Sequence, residues 1–183
     1  STKTIGAFFS LVILFDEIEK ANEFNRFFSS QSYIDYSSAV LPEELHNISD
    51  DISYIELTVT EVEDILKIVN PTKASGPDLI SPNFLKEASS VLKYPLCKLF
   101  NLSLSTSTFP DQWKRANVTP VYKNSKPNDV KNYRPISLLS VISMCMERCV
   151  FKHVYNHFMR KNILTKNQSG FTRGDSAVNQ LIN

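Results

Sequence analysis

Glycine is scarce in this chain of 183 residues, with four against nine prolines. Few positions can therefore adopt backbone conformations closed to other residues, and turns fall to proline instead. Cysteine is scarce too. Cys97, Cys145 and Cys149 make neither an even disulfide set nor the spacing of a metal site. Cys145 and Cys149 stand four apart in a helical pattern and read as buried thiols, which suits a reducing, intracellular setting and not secretion. No apolar run is long enough to cross a bilayer. Ile5 to Phe15 covers only about one-third to one-half of a spanning length, lacks a clear small-residue cleavage site and runs into Asp16-Glu17, so neither a membrane anchor nor a signal peptide is expected. There is no internal repeat and no low-complexity segment.

What is present is a globular composition, 42% apolar and 21% charged, enough for one domain or for a domain and part of another. The net charge of +1 hides a split. Residues 1–70 carry four bases against thirteen acids, a net of −9, and the remainder carries sixteen against six, a net of +10. An acidic first part and a nucleic-acid-facing second part are the expectation. Residues 1–57 read as an acidic lead-in or linker with a helix near 16–30, its stripe being Ile18, Ala21, Asn25 and Phe28. Thr60 and Glu63 have the spacing of a capping box before Val62, Ile65, Leu66 and Val69, and Asn70-Pro71 stops that helix. Ser81-Pro82 starts another helix, which Pro95 is expected to break or restart. Trp113 lies in a turn with a short helical start, and a long helix is predicted over 141–161. Both ends of the chain look cut, the last one within a helical pattern.

Between these helices, residues 117–139 read as two β-like arms across a polar connection, Asn124 to Lys131. Lys123 ends one arm and Arg134 opens the other. Arginine offers a planar fork that matches phosphate and lysine a point charge, so the hairpin can grip a triphosphate or a nucleic-acid backbone. Asp78, at a loop-to-helix junction, reads as a turn residue, and Asp50-Asp51 as a solvated loop. His153 and His157 have a spacing that zinc sites use, but no further ligand motif surrounds them, and they read as helix histidines.

The ordered segments Lys73-Ala74-Ser75-Gly76-Pro77-Asp78, Phe100-Asn101-Leu102-Ser103-Leu104, Phe109 to Ala116, Pro120-Val121-Tyr122-Lys123, Asn132 to Leu139 and Gln168-Ser169-Gly170-Phe171 resemble one family. It is the reverse transcriptase domain of non-LTR (LINE-type) retrotransposons. The likeness covers roughly Phe24 to Asn183 and is strongest from Thr60 onward. It implies an α+β fold, mostly helical with a fingers β-hairpin: an incomplete right-hand polymerase comprising the fingers and the start of the palm, within residues 58–183. It implies that Lys123 and Arg134 sit over the phosphates of an incoming nucleotide. It places Lys73 and Gly76 near the template strand, and Gln168, Gly170 and Arg173 at template or backbone. Two positions depart from the family: Thr172 stands where a basic residue commonly follows the phenylalanine, with Arg173 one step later, and Met144 stands where lysine is frequent.

The function so implied is that of a fragment of an RNA-directed DNA polymerase. RNA template, DNA primer, deoxynucleotides and Mg²⁺ would be its partners in the full protein, in cytoplasm and nucleus. The metal-holding aspartates of the family lie beyond the Gln168 motif, and after Phe171 only Asp175 is present. No catalytic or metal residue is therefore assigned, and the chain by itself is expected not to polymerise. The alternative is a catalytically inert retroelement remnant that at most binds nucleic acid. A helical interaction module without a nucleic-acid role is the third possibility.

Overall fold

The computed structural model describes residues 7–9, 12–14, 16–32, 52, 54–123, 127–161 and 163. Five helices dominate them: α1 (Glu17–Gln31), α2 (Val59–Lys67), α3 (Pro82–Glu87), α4 (Ser89–Ser105) and α5 (Val141–Lys161). Two antiparallel hairpins complete the set, β1 (Ala7–Phe9) with β2 (Val12–Leu14), and β3 (Ala116–Tyr122) with β4 (Tyr133–Leu139). Short 3-10 turns occupy Asp111–Lys114 and Val130–Asn132. The described residues are thus mostly helical with a minor β component, an α+β arrangement. Within the apolar run 5–15, unexplained by its sequence, Ala7–Phe9 and Val12–Leu14 form the first hairpin.

The core lies among α2, α3, α4 and α5. Phe100, Leu66, Val62 and Leu85 are fully enclosed there, with Cys97, Cys145 and Cys149 beside them. Trp113 closes one edge, its ring meeting Phe100 at 6.0 Å and Phe109 at 5.5 Å in edge-on geometry, the arrangement that aromatic quadrupoles favour. The thiols are packing residues as expected. Burial pushes Cys145 up to about 11 and Cys149 up to about 12.

The chain enters this core at Leu57, which is buried. Asn101 on α4 holds it at two points: its amide oxygen accepts from the Leu57 N–H at 2.8 Å, and its amide nitrogen donates to the Leu57 carbonyl at 2.8 Å. A side-chain amide here imitates one rung of a β-ladder and satisfies backbone groups that burial would otherwise leave unpaired. Glu63 adds an ion-pair bridge from α2 to Lys93 on α4 at 2.7 Å, and pairs with Lys67 at 2.9 Å.

Several local expectations shift. The capping box is formed by Thr58 and Glu61, two residues before the expected pair: the Thr58 hydroxyl accepts from the Glu61 N–H, and the Glu61 carboxylate accepts from the Thr58 N–H. Both pairs fit the motif, but Glu63 is claimed by the two lysines. Pro95 does not break α4, which runs through it. The proline is exposed and so is Val91, whose carbonyl loses the helical partner, so water can take the place of the missing N–H. The break falls at Ala88, between α3 and α4. On α1 the anchor is Phe24 and not the Ile18 stripe; Ile18 is 71% exposed, and Asp16 caps the helix through bonds from the Ile18 and Glu19 N–H groups. The connection between the hairpin arms is not polar throughout, because Val130 is buried in its 3-10 turn. Residues 124–126 of that connection lie outside the described residues.

Candidate nucleic-acid interface

The β3–β4 pair is in register from Ala116↔Leu139 at its root to Tyr122↔Tyr133 near its tip. The Lys123 N–H donates to the Asn132 carbonyl at 2.8 Å and extends the ladder by one pair. Because opposed residues share a face and faces alternate along each strand, Lys123 falls on the same face as Val121 and Arg134. Two cations from separate arms thus become diagonal neighbours. The same alternation puts Pro120 and Pro135 opposite each other at a pair that exchanges no ladder hydrogen bonds, so neither missing N–H is needed.

The two faces differ in chemistry. One carries Tyr122 and Tyr133, whose rings lie 5.4 Å apart, and Phe24 of α1 meets Tyr133 edge-on at 4.8 Å. The Tyr133 hydroxyl donates to the Pro127 carbonyl at 2.9 Å, so the aromatic face also secures the turn. The other face is open: Val121, Arg134 and Ile136 are all exposed. Lys123 is exposed too, with its ammonium donating to the Lys131 carbonyl at 3.1 Å. Among the described residues neither cation has a carboxylate partner. The hairpin therefore presents two uncompensated positive charges on a rigid support, an arrangement that favours phosphate.

Lys73 and Gly76 sit at the opposite end of this hairpin. Gly76 is buried against the Leu139–Ser140 peptide, and a Cβ there would fall 2.5 Å from the Leu139 carbonyl oxygen and 2.6 Å from the Ser140 nitrogen. The close backbone approach that this glycine permits is to the end of β4. Just beyond, Ser140 and Ser143 are fully buried: the Ser143 hydroxyl donates to the Ser140 carbonyl at 3.0 Å, and the Met144 N–H donates to the same carbonyl at 3.2 Å. Loop, strand and helix start are locked together at this point. Five residue steps along the strand separate Arg134 from Leu139, roughly 17 Å at the rise of a β-strand, so the Lys73 loop and the Lys123–Arg134 pair are distinct patches. Lys73 is exposed. Asp78 acts as the turn residue expected, its carboxylate accepting from the Ile80 N–H at 3.2 Å. Met144, half-buried, packs against the core. Gln168, Gly170 and Arg173 lie outside the described residues, as do Asp50 and Asp51.

Among the described residues no three His, Cys, Asp or Glu side chains converge on a point that could hold a metal ion. The set does not fit a Mg²⁺ site. His153 is directed elsewhere: its Nε2 lies 3.0 Å from a Glu61 carboxylate oxygen, within ion-pair distance but outside hydrogen-bond geometry. Burial raises the Glu61 carboxyl, but bonds from Thr58 and the charges of His153 and Lys152 outweigh it and hold the group below its usual range. The histidine thus ties α5 to the cap of α2. Sequence spacing gave no sign of that link, since the two residues are 92 positions apart.

No protein-family model matches the chain. Curated relatives do. Over 126 residues, 68% of this chain, it is 32% identical to the probable RNA-directed DNA polymerase from transposon BS of Drosophila melanogaster. It is 29% identical, also over 126 residues, to the RNA-directed DNA polymerase from mobile element jockey of the same fly. A Pol polyprotein from the type-1 retrotransposable element R1 of Bradysia coprophila is 28% identical over 124 residues. This chain is a homologue of the reverse transcriptases of non-LTR retrotransposons. The matched stretch spans 12% to 14% of the length of those relatives. No helix among the described residues is long and apolar enough to cross a membrane.

Proposed function

We propose that the chain is the fingers-side part of an RNA-directed DNA polymerase within a right-hand fold, copying an RNA template into DNA from a primer in the full protein. In this reading the open face of the β3–β4 hairpin takes the phosphates of the incoming deoxynucleotide through Lys123 and Arg134. The Lys73 loop meets the template backbone, held in place by Gly76, and Gln168, Gly170 and Arg173 extend that contact. The observation that carries it is the register, which puts two cations from different arms on one exposed face backed by aromatic packing. Phosphoryl transfer depends on positioning and on neutralising charge, and fixed cations supply both. The described residues hold and orient phosphate; none of them is assigned to metal or to bond-making chemistry.

The test is titration of the full chain with a fluorescent deoxynucleoside triphosphate. Arg134→Ala and Lys123→Ala are each expected to weaken binding about tenfold, the worth of one charge-assisted hydrogen bond. Equal affinity in both variants would overturn the nucleotide role.

A further inference from the structure

Lys73 shares a small surface cleft with Arg148 of α5, a residue for which neither the motifs nor the hairpin assigns any role. The cleft is floored by Val69, Pro82, Met144 and the thiol of Cys145, and among the described residues its charged or amide side chains are Asn70, Lys73 and Arg148. All three of these are exposed. Asn70 has its amide oxygen occupied, since it accepts from the Thr72 N–H at 3.0 Å and from the Thr72 hydroxyl at 2.8 Å. That contact fixes the amide so that its NH₂ is the end left to bind a ligand. Lysine and arginine have donors only. Among the described residues the lining therefore offers donors from three side chains and no carboxylate, and neither Lys73 nor Arg148 is ion-paired. The accessible volume of the cleft is about 20 Å³, room for one oxygen-sized group.

We infer that this cleft is a phosphodiester subsite: Lys73, Arg148 and Asn70 together hold one backbone phosphate of a nucleic-acid strand. It deepens the proposed function and rests on that reading for the nature of the strand. Three donor side chains lining one small cleft suit a phosphate oxygen, and the arginine fork adds direction that a lone lysine lacks. The apolar floor lowers local hydration, which strengthens such contacts. The anchoring of the loop by Gly76 against Leu139 and Ser140, directly before α5, keeps the two cations in register with each other.

The experiment is fluorescence anisotropy of the full chain with a short single-stranded RNA across a range of salt. Lys73→Gln and Arg148→Gln are each expected to weaken binding about fivefold near 0.1 M salt and to reduce the salt slope by about 0.7, the loss of one phosphate contact on a single strand. Arg148→Lys should restore the slope but not the full affinity. A single neutral methylphosphonate linkage, moved along the RNA, should weaken wild-type binding at one position and leave Arg148→Gln unaffected there. Inorganic phosphate alone should compete poorly; competition as strong as that of the RNA would overturn the strand assignment. If Lys123→Ala and Arg134→Ala lower RNA or nucleotide affinity while both cleft variants bind as wild type, the subsite is wrong and the proposed function stands. If the wild-type chain shows no salt-dependent RNA binding, the subsite fails, whereas nucleotide binding still tests the hairpin on its own.

Discussion

Gly76 shows how one residue can be understood twice. In the sequence it is a glycine in a loop beside Lys73, free to let another backbone come close. In the structure that backbone is the end of β4, 2.5 Å from where a Cβ would sit. All the nearest atoms are backbone, so nothing flexible can move aside. Gly76→Ala is expected to cost about 1–3 kcal/mol of stability, read from the urea midpoint. Faster amide exchange at Ser143 and Met144 should accompany it, because the disturbed peptide adjoins the start of α5. A wild-type midpoint would mean that the loop is not seated there. Lys123 and Arg134 behave differently: both are exposed, so their replacement should alter ligand affinity and leave folding almost untouched.

At the scale of elements, hydrogen-bond competition decides what local pattern leaves open. Two overlapping capping boxes are written into residues 58–63, and the one that forms is the one whose glutamate is not drawn to Lys67 and Lys93. Pro95 reads as a breaker, yet α4 continues because Val91, whose carbonyl loses its helical partner to the proline, is exposed to water, while Leu96 and Phe100 hold the helix to the core. The clamp of Asn101 on Leu57 belongs at this scale also. Asn101→Ala strands a buried backbone N–H and removes one bond to the carbonyl, and should cost about 2 kcal/mol. Asn101→Asp keeps the acceptor and should recover part of that loss. Denaturant unfolding of both variants separates the clamp from simple packing, since a packing role predicts almost no loss in the isosteric Asn101→Asp, whereas the clamp predicts a loss there from the missing donor to the Leu57 carbonyl. The hairpin arms and the long α5 were legible from alternation and helical spacing, and so was the turn role of Asp78. The shared face of Lys123 and Arg134 was not, because it depends on which residues pair across a connection of uncertain length.

For the molecule as a whole, the buried thiols set a stability limit at alkaline pH. Burial holds Cys145 to about 11 and Cys149 to about 12, whereas an unfolded thiol ionises near 8.5. The folded state therefore keeps protons that the unfolded chain gives up. Their contribution is fully present below about pH 8.5 and is lost as pH rises through 11 and 12. Urea midpoints should fall across that range, and Cys149→Ala should flatten the fall while lowering stability at neutral pH. At the acid end the direction reverses for Glu63, which the lysine hydrogen bonds hold below its usual range. Its contribution is present at neutral pH and disappears as pH drops below about 4.5.

Neighbours along the chain were enough to establish the helical stretches, the two hairpin arms, the thiols as core residues and the likeness to a polymerase family. Each of these depends on spacing or on order, which a linear string contains. Packing alone settled which threonine caps α2, where Gly76 is seated, that His153 reaches Glu61, and that Lys73 and Arg148 border one cleft. Those pairs lie between 63 and 92 positions apart, apart from the capping choice, and they meet only because the strand and helices are held against one core. The cap follows the same logic, since Lys93 on a different helix claims the competing glutamate.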